Sequence, residues 1–215
     1  MHTAMGMGYS ILKDVGSAGK AFERAAESGN PVAQWLHGGY HLHVAEEAEL
    51  AKKSWRQTLN VLEANTEEAL RARLLRDLGE VSTLRGETEE AIASLNDALA
   101  AAAKCDPEHW LIGSTLCQLA RAFHAQDNAV TAEGYFRSAM SRLESPTAPI
   151  SELPYSIWEY SRLLRQWEKR EADAKQLKER ATGLIEALPM EAGCSRFVVP
   201  FVHEEEARAQ WDGLH

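Results

Sequence analysis

His37 and His41 stand four residues apart, with His43 close by and Glu46 and Glu47 just beyond. On a helix that spacing puts both imidazoles on one face, where they can chelate a zinc ion. A zinc protease would add the HExxH pattern, but Gly38, Gly39 and Tyr40 follow His37. No third ligand on that face is legible, and histidines along a solvated groove explain the cluster equally well. Neither a metal nor any other cofactor is therefore assigned. Cys117 and His124 also share a helix face, two turns apart. That is about 10 Å along the axis, too far for a nucleophile and its base. A small buried thiol is the plainer reading of Cys117.

The remaining catalytic patterns are missing. There is no Gly-rich phosphate loop, no nucleophile elbow and no dinucleotide fingerprint. Glu89-Glu90 and Glu204-Glu205-Glu206 read as helix N-terminal charge and solvated faces. The run Ala98 to Ala103 reads as packing. The chain is not expected to be an enzyme.

Bulk properties narrow the partners. In 215 residues, 45% apolar and 26% charged, there is enough material for one folded core or one repeat array. Asp and Glu number 32 against 23 Lys and Arg, a net charge of −9 that repels a phosphate backbone, so nucleic acid is not an expected partner. No stretch approaches the ~18 apolar residues of a membrane span, and Met1 to Gly8 lack the pattern of a signal peptide. Three cysteines without a CxxC pair suit a reducing compartment, so a cytoplasmic protein is expected.

The elements that must position these side chains repeat. Gly6, Gly39, Gly79, Ala120 and Ser161 each lie in a helical apolar pattern. Ala18, Ala51, Ala91, Ala132 and Ala174 follow them by twelve or thirteen residues. Phe22, Trp55, Leu95 and Phe136 come four later, and Ala25, Thr58, Ala98, Ala139 and Ala181 restore a small side chain. Such a pattern is two helices packed closely, the small residue at the crossing filled by a bulky one from the neighbour. Ser82 breaks the pattern where Tyr9, Leu42, Phe123 and Leu164 supply a large group. Turn signals at Gly16, Gly86-Glu87-Thr88 and Asp127-Asn128 separate the paired helices. The spacing predicts ten helices: about 2–14, 17–28, 31–44, 46–64, 66–85, 88–104, 108–126, 129–144, 153–167 and 171–187.

This order of small, bulky and small positions resembles the tetratricopeptide repeat, and the resemblance covers about residues 1–188. The later step of 40 or 41 residues is similar to the lengthened repeats of the kinesin light chain type. The resemblance implies an all-α fold, a right-handed superhelical solenoid of about five antiparallel helix pairs. Residues 189–215 form a second segment. Phe197 to Val202 should be extended, with a short helix after it. This tail either caps the open end of the stack or docks on a partner, and capping is the favoured reading. Met1 falls inside the first helix with nothing to cover Met5 and Met7, so continuation upstream or self-association is expected there.

In tetratricopeptide arrays the first helix of each pair lines a concave groove where peptides bind. The resemblance places His37, Tyr40 and His43, Arg73 and Arg76, Arg121 and His124, and Tyr155, Trp158, Arg162 and Arg165 along it. Asp77, Glu80 and Glu159 are the carboxylates of that lining. If Arg121, Arg162 and Arg165 share one face, they form a positive strip suited to an acidic segment. Pairing of Arg76 with Glu80 and of Arg162 with Glu159 is the alternative. Met7, Tyr40 and Glu80 stand where the family's carboxylate clamp has asparagines, so that activity is not carried over. The expected function is a protein–protein interaction module holding a protein or peptide segment, an acidic one among the candidates. A chaperone or escort, or a regulatory repeat domain of a larger system, is the alternative.

Overall fold

The computed structural model describes residues 15–43, 47–62, 68–105 and 110–187. Among them are nine helices and no strand: α1 (Val15–Glu27), α2 (Pro31–His43), α3 (Ala48–Val61), α4 (Glu68–Leu84), α5 (Thr88–Cys105), α6 (Trp110–Ala125), α7 (Ala129–Leu143), α8 (Glu152–Leu164) and α9 (Glu171–Glu186). The predicted helix 2–14, the tail from 188 onward and the side chain of His43 lie outside the described residues. The fold is an all-α helical repeat. It divides into two compact units, one within residues 1–148 and one within 149–215.

In the first unit each helix packs on the next, α2 on α3, α4 on α5 and α6 on α7. The first helices of successive pairs also touch, α2 against α4 and α4 against α6. The small-residue seam explains this closeness. Ala51, Ala91, Ala98, Ala132 and Ala139 are fully buried, as are the bulky partners Trp55, Leu95 and Phe136. Each such bulky side chain contributes about 1.5–3 kcal/mol by leaving water. A Cβ on Gly79 would overlap Leu95, so only glycine lets these two helices approach.

In the second pair the register differs from expectation. A Cβ on Gly38 would overlap the Trp55 indole, whereas one on Gly39 would meet open space. Gly38, not Gly39, is the crossing residue. Gly38, Gly79, Ala120 and Ser161 then follow at a constant step of 41 residues. The turns share that step: Gly86 and Asp127 both carry positive φ, 75° and 58°. Asn128 then caps α7 by accepting the Thr131 N–H at 3.2 Å, as Asn30 caps α2 by accepting from Ala33 at 3.0 Å.

The second unit pairs α8 with α9. Ile157, Leu163, Leu164, Ala174 and Ala181 form its buried side, with Ser161 small and buried among them. Its turn also contains a positive-φ residue, Lys169 at 67°.

Candidate partner-binding face

Helix α2 brings the first predicted residues together. The His37 and His41 rings lie 4.4 Å apart, edge to face, and Tyr40 lies 5.7 Å from His41 and 6.0 Å from Phe22. The Tyr40 ring sits over Gly19, where no side chain would fit beneath it. His41 Nδ1 is 2.7 Å from the Glu47 carboxylate. Burial, and then the charge of His41, pull the His37 pKa below its ordinary value, while Glu23 opposes them. Burial and the nearby Glu47 push the Tyr40 hydroxyl upward.

The positive side chains of α4 and α6 are less open than their number in the sequence implies. Arg73 is held between two indoles, 5.2 Å from Trp35 and 5.4 Å from Trp110. Arg76 is only 2% exposed, so it enters the packing instead of lining an open surface. It donates to Asp77 at 3.0 Å and to Ser114 at 2.7 Å. Asp77, fully buried, also accepts the Trp35 indole N–H at 2.6 Å. Glu80, one turn on from Arg76, is also reached from the next repeat. Arg121 donates to Glu80 at 3.1 Å from the next repeat, and to Gln118 at 2.8 Å. His124 is half-buried on the same helix.

In the second unit, Arg162 does pair with Glu159, at 3.2 Å. Tyr155 is buried at 8% exposure, another predicted lining residue that is covered. Trp158 is partly exposed, with Lys178 Nζ 5.1 Å from its ring centre. Arg165 is exposed and makes no side-chain hydrogen bond or ion pair among the described residues.

Trp35, Trp110, Ser114 and Lys178 were not among the predicted lining. Trp35, Arg73 and Trp110 recur at intervals just under one repeat, which was a usable signal for side chains meeting across successive first helices. Among the described residues no group of three His, Cys, Asp or Glu side chains could hold a metal ion, and no helix is long and apolar enough to cross a membrane.

Residues 70–145 match the family model of the tetratricopeptide repeat. No curated protein matches the sequence. Solved structures share the fold. A chain of nearly identical TPR-like repeats of kinesin light chain type, from Podosopora anserina, is 16% identical with a TM-score of 0.57, over 85% of this chain and 92% of that one. BtubC (BKLC) from P. vanneervenii is 17% identical with a TM-score of 0.57, covering 95% and 93% of the two chains. A Rap protein in complex with competence and sporulation factor superposes with a TM-score of 0.73 at 15% identity. The match takes in 94% of this chain but 57% of the Rap protein, so this chain spans little more than half of that protein's length.

Proposed function

We propose that this chain, whose residues 70–145 match the tetratricopeptide repeat, is a protein-interaction module that binds a protein segment along the first helices of its repeats. Repeats of this kind generally serve protein–protein interaction. The observation that supports the reading is the side-by-side contact of α2, α4 and α6, the helices that carry Tyr40, Arg73, Arg121 and His124. Aromatic and arginine side chains are suited to anchoring a segment. A Rap protein of similar fold has been solved with a bound factor, which supports a holding role for this architecture.

An acidic segment remains the preferred occupant, but on fewer charges than the sequence suggests. Arg76, Arg121 and Arg162 each have a carboxylate of their own, and Arg165 is the exposed guanidinium outside such a pair. Cytoplasmic placement belongs to the same reading, with Cys105 and Cys117 both free thiols.

Photo-crosslinking in the native host tests the proposal. Crosslinking residues at His124 and Arg165 are expected to capture a partner, while Glu89 and Lys175 on second helices are not. Capture should weaken on Arg165→Glu and with rising salt if the partner is acidic. Crosslinks arising chiefly from Glu89 and Lys175 would move the interaction to the outer helices.

A further inference from the structure

His37 and His41 meet by their Nε2 atoms, 3.1 Å apart, at a half-buried position on α2. We infer that this pair is a binding site for a single late divalent d-block cation, zinc, nickel or copper, held between His37 Nε2 and His41 Nε2 with Glu47 behind it. A tetrahedral zinc ion with Zn–N bonds of about 2.0–2.1 Å places two nitrogen ligands about 3.3 Å apart. The observed 3.1 Å is close to that spacing, and rotation of the rings would turn both nitrogens toward the ion.

The surroundings favour the liganding state of His41, and His37 exchanges its Nε2 proton for the ion. His41 Nδ1 lies 2.7 Å from the Glu47 carboxylate, which fixes the proton on Nδ1 and leaves the Nε2 lone pair toward His37. That is the outer carboxylate commonly found behind metal-bound histidines. Glu47 is held by the backbone as well, since its N–H donates to the His41 carbonyl at 2.7 Å.

There is room for the ion's remaining ligands. Both rings border a cavity of about 280 Å³ that Gln34, Ser54 and Gln57 also line. Water fills the other positions, because no third His, Cys, Asp or Glu completes the set among the described residues. Lys53 lines the cavity too, and its exposed side chain can carry its charge outward. A two-imidazole set with water selects for the upper end of the divalent series, copper and nickel above zinc, and against magnesium or calcium.

Titration calorimetry of the full chain with zinc, nickel and copper chlorides in chelator-free buffer at pH 7.5 tests this. One ion per chain is expected at the tightest site. His37→Ala and His41→Ala should each weaken it at least tenfold, and Glu47→Gln about tenfold. Because protons compete for the same nitrogens, affinity should also fall between pH 7.5 and 5.5. In NMR spectra the two Nε2 resonances should shift on titration while the Nδ1 of His41 moves less. His41→Gln, which keeps the side chain polar and of similar length, decides the matter if an alanine variant loses helix content. Affinity unchanged within twofold in the His37 and His41 variants would overturn the site, as would a wild-type chain that binds none of the three ions.

Discussion

Trp35 donates its indole N–H to Asp77 at 2.6 Å, joining α2 to α4 across 42 residues of sequence. The same carboxylate holds Arg76, which continues to Ser114 on α6. A single buried acid thereby ties three successive first helices, and the fixed donors Trp35 and Arg76 offset the cost of burying its charge.

Removing that acid should be severe. Asp77→Ala takes from the buried Arg76 the carboxylate that it meets at 3.0 Å, and a loss of about 3–5 kcal/mol is expected in urea unfolding. Trp35→Phe, which removes one donor and leaves a smaller aromatic ring, should cost about 1–3 kcal/mol. A loss below 1 kcal/mol for Asp77→Ala would show that the network is solvated.

The helix crossing of the second pair can be tested one residue at a time. Gly38→Ala drives a methyl group into Trp55, while Gly39→Ala meets open space and gains helix propensity. The first should destabilise by ~1–3 kcal/mol and the second stabilise by roughly 0.5–1 kcal/mol. Ala132→Leu, at a fully buried crossing in the fourth pair, should behave like the first. Equal melting temperatures for the two glycine variants would return the crossing to Gly39.

Acid should loosen the first unit through Glu87. Hydrogen bonds from Lys52 and then Arg85 hold its pKa at about 2, below its ordinary 4.5. Burial works against Glu90, but bonds from Lys52 and Arg56 still keep it below the usual range. A depressed carboxylate stabilises the fold fully above pH 4.5, and that contribution is lost as pH falls from there toward 2. Melting temperatures of the wild type should drop across this window. Lys52→Met should flatten the drop, since its ammonium is the group shared by both carboxylates. A variant with an unaltered acid slope would assign the window to other carboxylates.

Ser82 offers a gain. It is fully buried, interrupts the apolar series, and its hydroxyl has no hydrogen-bond partner among the described residues. Ser82→Ala should therefore be neutral or stabilise by up to ~1–2 kcal/mol, read by urea midpoint at unchanged slope. A clear destabilisation would mean that water reaches the hydroxyl.

The helices were legible because their signals are local. Asn30-Pro31, Gly86, Asn128 and the small-residue register place the nine described helices within three residues of their predicted ends. Gly38 and Gly39 could not be told apart in the same way, since both are small and only the position of the Trp55 ring decides between them. The site was harder for a related reason. Arg162–Glu159 lies within one helical turn and was foreseen, but Arg121–Glu80 spans 41 residues and depends on how two helices sit side by side. Charge counts along a chain do not record which cations already have partners. Burial of Arg76 likewise follows from α4 packing between α2 and α6, which no single-helix pattern contains.

Lys52 and Arg121 both cross a repeat boundary, Lys52 from α3 to Glu87 and Glu90, and Arg121 from α6 to Glu80 on α4. Neighbouring repeats in the first unit therefore share energy that neither holds alone, as coupled spins do in a one-dimensional chain. Pulled from its ends, such a segment is expected to yield in steps larger than a single repeat, because detaching an outer repeat strips charge partners from the repeat behind it.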